Sequence, residues 1–159
     1  MKTFRELVAV VGLLSAIFVV AFNYRELPQR IPTHFGISGV ADGWGDKSSL
    51  WIIVGLTCVL YAIFSLVRFL PPRLINVPVS EEHRAAAIPI SLEMIGWVKA
   101  EIACMFAYIV WSAVAVVQGN GHGLGVWFLP VTLITIIGTS LFYTLQMRRL
   151  GRSDADIIG

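Results

Sequence analysis

Four long apolar runs leave this chain little choice of fold. They cover Leu7–Phe22, Leu50–Val67, Ile102–Val117 with a more polar lead from Ile90, and Gly125–Met147. A helix needs about 20 mainly apolar residues to cross a hydrocarbon layer about 30 Å thick, and each run reaches that length with its flanks. In lipid every backbone N–H and C=O must be satisfied within the protein, so such runs read as spanning helices. The predicted fold is an all-α membrane protein with four transmembrane helices in an antiparallel bundle. It forms one domain over residues 1–159, with spans at about 4–22, 50–69, 92–118 and 125–147. A structured extracytoplasmic loop, 23–49, joins the first two helices, and a cytoplasmic loop, 70–90, joins the second to the third. At 57% hydrophobic and 14% charged residues, the composition is too apolar for a soluble domain, so the lipid bilayer is the expected solvent.

The basic residues set the expected orientation, because Lys and Arg accumulate on the cytoplasmic side. One side collects Lys2, Arg5, Arg68, Arg73, Arg84, Arg148, Arg149 and Arg152; the other has Arg25, Arg30 and Lys47. Both termini are therefore expected in the cytoplasm, with the 23–49 loop facing outward. The basic start and Val19-Val20-Ala21 also have the layout of a cleavable signal peptide, and cleavage would leave three helices. The long apolar core, with no second small-residue cluster after Ala21, favours a retained helix. Asp46 or Ser48 is expected to cap the second helix, and Ser80–Arg84 to form a short capped helix on the membrane surface. Gln118–Gly123 reads as a tight turn that returns the fourth helix antiparallel to the third. Gly12 with Ala16 and Ala103 with Ala107 offer close helix packing. Cys58 and Cys104, both inside apolar runs, are expected to be small buried hydrophobes.

Leu27–Lys47 is unlike the rest of the chain. Pro28 and Pro32 forbid a continuing helix and push Leu27 and Ile31 into extended backbone. Gly36, Gly39, Gly43 and Gly45 supply turns, with Asp42-Gly43 the strongest turn signal. Leu27, Ile31, Phe35, Ile37, Val40 and Trp44 are too apolar for a free linker and predict a cap folded onto the helices. Arg25, Arg30 and Lys47 balance Glu26, Asp42 and Asp46, so the loop offers no basic patch for nucleic acid.

Two groups could carry chemistry. His34, Asp42 and Asp46 combine imidazole and carboxylate, the donors of a divalent metal site. Their spacing fits no established ligand pattern, however, and such residues also hold turns through backbone hydrogen bonds, which is the expected role. Glu93, Lys99 and Glu101 are ionisable groups at the edge of the third run, and intramembrane charges often mark ion or proton paths. The expected placement is the inner headgroup layer, with Lys99 snorkelling outward and Glu101 the deepest charge. No nucleophile motif, phosphate-binding glycine loop, intramembrane haem histidine pair or cysteine metal cluster is present, so no enzyme, cofactor or metal is expected.

The order Leu27-Pro28, Ile31-Pro32-Thr33-His34, Gly39, then Asp42-Gly43-Trp44-Gly45-Asp46-Lys47 resembles the signature of a bacterial membrane family, domain of unknown function 1648. That domain is the first of SdpI-type immunity proteins, and the resemblance covers roughly Leu7–Arg68. It implies a bacterial cytoplasmic-membrane protein of immunity or signal-response type, whose outward loop meets a peptide or protein partner. Leu27, Pro28, Ile31, Pro32, Thr33, His34, Gly39, Asp42, Gly43, Trp44 and Lys47 transfer as signature positions without assigned roles. Three functions are weighed on this footing: a non-enzymatic binding or immunity protein, an accessory subunit of a larger membrane complex or homo-oligomer, and a transporter or metal-dependent membrane enzyme using Glu101 or the His34 cluster.

Overall fold

The structure is a computed structural model that describes residues 2–153. The acidic and apolar tail from Asp154 to Gly159 lies outside the described residues, as do the side chains of Lys2 and Arg152 counted for orientation. Four helices are long and apolar enough to cross a membrane: Thr3–Asn23 within α1 (Lys2–Asn23), Ser49–Phe69 containing α2 (Ser49–Leu66), α3 (Glu81–Val117) and Phe128–Leu150 within α4 (Phe128–Ser153). Between α1 and α2 the chain forms a two-stranded antiparallel sheet, β1 (Arg30–Phe35) with β2 (Ala41–Asp46). The fold is therefore helical with one β-hairpin, a correction to the all-α expectation. Its reason is local: proline, β-branched and aromatic residues exclude helix between Leu27 and Trp44, and the cross-strand pairing satisfies the freed backbone groups.

α3 is the central element, and α1, α2 and α4 all pack against it. Small residues let α1 approach closely: a Cβ added to Gly12 would stand 2.9 Å from the backbone of Ala103 and of Cys104. Ala9 and Ala16 of α1 face Ala100, Ala103, Val110, Ala113 and Val114 of α3 across a dry seam, so the small-residue spacings found in the sequence belong to one contact. α2 adds Leu50 and Val54 to this core, whereas α4 buries little beyond Tyr143 and Met147. Large apolar side chains such as Phe18, Phe22, Ile52, Ile134 and Phe142 are left exposed on the helices, a surface suited to lipid.

Residues 70–90 depart from expectation. α3 starts at Glu81 and runs without a break through Pro89, for 37 residues or about 55 Å, far more than one bilayer crossing needs. No separate surface helix exists at Ser80–Arg84. A proline inside a helix costs about 3 kcal/mol, and tertiary contacts on the turns before it offset that cost. Ala87 packs with Ile75, Val77 and Met147, and the Arg84 guanidinium donates to the carbonyls of Arg73 (3.2 Å) and Ile75 (3.0 Å). Ser80 gives no side-chain cap; its hydroxyl pairs with Nδ1 of His83 at 2.8 Å.

The cysteine expectation also changes. Cys104 is exposed at the groove between α1 and α3, while Cys58 is half-buried against the main core, both as free thiols. Packing α1 against the Ala100/Ala103 face leaves Cys104 at the edge of that contact.

Candidate functional site

The hairpin is built so that one face belongs to the helices and the other does not. Its register places Arg30 opposite Asp46, Ile31 opposite Gly45 and Pro32 opposite Trp44; two irregularities, after Pro32 and after His34, then bring His34 opposite Gly43 and Phe35 opposite Ala41. Pro32 has no N–H to give the ladder, a usual reason for irregular pairing at that point. The turn lies at Gly36–Val40, with Gly36 N–H donating to Val40 O (3.0 Å) and Gly39 N–H to Gly36 O (2.8 Å). Asp42-Gly43, the strongest turn signal in the sequence, instead lies within β2. A Cβ on Gly43 would stand 2.8 Å from the His34 Cβ, so this glycine leaves room for the strand opposite.

Leu27, Ile31 and Pro32 are buried, and the first two join Val20, Leu50, Val110 and Val114 in the main core, with Phe35 packed beside them. Ile37, Val40 and Trp44 are exposed instead, Ile37 to 89%. Half of the apolar set expected to fold inward is therefore exposed, with Ile37 bordering the start of α4. Pro28 and Thr33 are also exposed.

At the tip, the Leu124 N–H of the α3–α4 connection donates to Gly39 O at 2.8 Å. The Tyr108 hydroxyl donates to Leu124 O (3.1 Å), and the Tyr108 ring stacks on Phe128 at 5.4 Å. Beside this contact is a shallow cavity of about 370 Å3 walled by His34, Phe35, Ile37, Leu124, Phe128 and Leu129.

At the base, Lys47 explains itself. Its Nζ donates to Tyr24 O (3.1 Å) and Leu27 O (2.9 Å), just past the end of α1, and lies 4.9 Å over the Tyr24 ring. A cation on terminal helix carbonyls is favourable for both hydrogen bonding and the helix dipole. Lys47→Met should lower stability by about 2 kcal/mol, since each hydrogen bond from a charged donor contributes about 1.5–3 kcal/mol and part of the packing survives. Denaturant titration in detergent micelles measures this, and a change within error would remove Lys47 as an anchor.

Asp46 caps the neighbouring helix. Its carboxylate accepts the Ser48 N–H at 2.8 Å, and Ser49 donates its hydroxyl to Asp46 O. The Ser48 backbone hydrogen bond holds the Asp46 carboxyl below its usual range. A depressed carboxylate pKa stabilises the folded state above the ordinary value, and that contribution disappears as pH falls through the lowered one. Of the two capping residues expected for α2, Asp46 does the work while Ser48 makes no side-chain cap.

The structure joins His34 with Asp42, Nδ1 to Oδ1 at 2.5 Å, and leaves Asp46 at the far end of β2 on Ser48. Among the described residues no three His, Cys, Asp or Glu side chains gather as a metal site would need. The His34–Asp42 pair is well exposed, at 73% and 53%, so its contribution to stability is at most about 1 kcal/mol. It is an exposed cross-strand polar feature whose imidazole also borders the cavity beside α4.

The charges of α3 are not where snorkelling would put them. Lys99 is buried: its Nζ donates to both carboxylate oxygens of Glu6 (2.5 and 2.8 Å) and to Ser65 Oγ (3.1 Å), and sits 4.6 Å over the Tyr61 ring. Tyr61 donates to the same Glu6 carboxylate at 3.0 Å, and Arg5 pairs with Glu93 at 3.0 Å. α3 crosses α1 and α2 at this level, so Lys99 finds its partners inside the protein instead of reaching outward. Sequence reading missed Arg5, Glu6, Tyr61 and Ser65. The available signal was that Arg5 and Glu6 begin the first apolar run while Ser65 and Arg68 end the second, at one membrane depth. Glu101 faces α4, accepting from Thr139 at 2.5 Å, while its second oxygen is buried without a partner.

With this geometry in place, the family resemblance has a counterpart: residues 10–58, from Val10 in α1 to Cys58 in α2, match the family model described as Domain of unknown function (DUF1648). The matched segment contains the whole hairpin, its core contacts on α1 and its Lys47 and Asp46 anchors. No curated protein and no solved structure matches the chain.

Proposed function

We propose that this is a non-enzymatic bacterial membrane protein of immunity or signal-response type, which recognises an extended peptide or protein segment through the outward face of its hairpin. The observation that carries this reading is the split of the hairpin. Leu27, Ile31 and Phe35 are held in the core, the tip is bonded to Leu124 and the base to Lys47, while Ile37, Val40, Trp44 and the His34–Asp42 pair stay exposed. A rigid support presenting aromatic and polar groups is how binding surfaces keep their entropic cost low. Since the sheet has only two strands, an edge remains on which an extended peptide can add.

In this reading the protein sits in the cytoplasmic membrane with both termini inside, following the Arg and Lys asymmetry, and the hairpin meets its partner outside. The test is complementation of a deletion strain with the parent or with His34→Ala/Asp42→Ala/Trp44→Ala at matched membrane levels. Under challenge with secreted peptide toxins or envelope stress, the triple variant should lose protection. Full protection by it would end the proposal.

A second reading, a small subunit of a larger membrane complex, is favoured by an apolar groove of about 340 Å3 between α1 and α3, walled by Leu7, Val8, Val11, Gly12, Cys104 and Ala107. Mass measurement after extraction in mild detergent separates the two, because a lone monomer counts against a subunit.

A further inference from the structure

A cavity of about 440 Å3 opens between the start of α1, the end of α2 and the middle of α3. Its walls carry the cations Arg5, Arg68 and Lys99 and the carboxylate of Glu6, over an apolar floor of Phe64 and Leu92. Two of the cations are matched within the protein, Lys99 by Glu6 and Arg5 by Glu93. Among the described residues no carboxylate lies within ion-pairing distance of Arg68, which is exposed with its guanidinium 4.7 Å over the Phe69 ring. Three cations against two carboxylates, 3 − 2, leave one positive charge at the cavity. Gly96 makes room for the Arg5 side chain in the cavity wall, since a Cβ there would stand 2.5 Å from Arg5 Nε.

The depth of this cavity is fixed by its walls. Thr3 begins the first candidate span and Phe69 ends the second, so the mouth of the cavity lies at the span ends, where lipid headgroups are expected. Basic pockets between helices at that level attract anionic lipid, and a planar guanidinium matches phosphate oxygens.

We propose that the cavity seats the phosphate of an anionic phospholipid. Arg68 is its direct ligand, the Thr3 hydroxyl and Arg5 stand beside it, and the first part of an acyl chain lies on Phe64 and Leu92. A phosphodiester carries one negative charge, which equals the unmatched positive charge of the site. The network around Lys99 then forms the back wall that holds α1, α2 and α3 at the spacing the headgroup needs.

The test compares thermal unfolding in nanodiscs of phosphatidylcholine with and without phosphatidylglycerol. The parent should gain about 3–6 °C from phosphatidylglycerol, the size expected of a ligand well above its dissociation constant. Arg68→Gln, which removes the charge, should lose that gain while matching the parent in phosphatidylcholine alone; Gly96→Leu, which displaces Arg5 and narrows the cavity, should start from a lower midpoint and lose the gain as well. Mass spectrometry should likewise find phosphatidylglycerol retained by the parent and lost from Arg68→Gln. An equal gain in the parent and both variants would overturn the site. The same gain from inorganic phosphate added to phosphatidylcholine discs would overturn its assignment to a lipid.

Discussion

Lys99→Met is expected to lower stability by about 2–3 kcal/mol, among the largest effects of any single side chain in the helices. The ammonium is 5% exposed and holds both oxygens of Glu6, the Ser65 hydroxyl and the face of Tyr61. Removing it leaves the Glu6 carboxylate with the Tyr61 hydroxyl as its remaining protein partner. Breaking a fully buried pair in this way costs about 3–5 kcal/mol. The loss expected for Lys99 is smaller because the Glu6 side chain is 42% exposed, so solvent or headgroups partly relieve its charge. Replacing both partners removes the orphaned charge, so Glu6→Gln/Lys99→Met should recover most of the loss. A double-mutant cycle by denaturant titration in detergent measures the coupling, expected at about 1–3 kcal/mol. If Lys99→Met unfolds like the parent, the cluster does not hold α1, α2 and α3 together.

Gly39→Ala should loosen the hairpin tip without disturbing the spans. Gly39 has φ +75°, where an L-residue costs about 1–2 kcal/mol. A Cβ would also stand 2.4 Å from Gly125 O and 2.5 Å from Gly125 N, which are backbone atoms with no rotamer to yield. The tip and the α3–α4 connection must then separate, losing the Leu124 N–H to Gly39 O bond. Strain and clash together should total about 2–4 kcal/mol of local stability. Amide exchange at Leu124 reads the effect and should accelerate at least tenfold, as about 1.4 kcal/mol suffices for that factor. Gly119→Ala is the control: its φ is +74°, yet nothing lies within 4 Å of an added Cβ, so it carries strain alone. Equal acceleration of Leu124 exchange by both variants would show that the Gly39–Gly125 contact contributes nothing.

Much of this molecule was legible because it depends on local rules. Spanning helices follow from uninterrupted apolar runs, since a helix in lipid satisfies its backbone within itself. The extended character around Leu27 and Ile31 followed from Pro28 and Pro32, and the cap on α2 from Asp46. Where reading failed, a distant contact outweighed a local preference. Pro89 should have ended a helix, but Ala87 and Arg84 are held by residues from Pro72 to Val77 and by Met147. Asp42-Gly43 should have been a turn, but the pairing of His34 with Gly43 moved the turn to Gly36–Val40. Lys99 should have reached outward, but Glu6 and Ser65 hold it inside the protein.

By itself, then, the sequence determined that four helices are long and apolar enough to cross a bilayer, and that residues 27–47 fold into a cap. These follow from interactions a few residues apart, or between a segment and its solvent. Only the tertiary structure decided that the cap is a hairpin with one face in the core and one exposed. It also decided that Glu6 meets Lys99 across 93 positions of chain, and that three helices surround a cavity with an unmatched Arg68. The rotation of each helix about its axis chooses those partners. That rotation is fixed by shape, by close approaches such as Gly12 on Ala103, which no periodicity in one segment encodes.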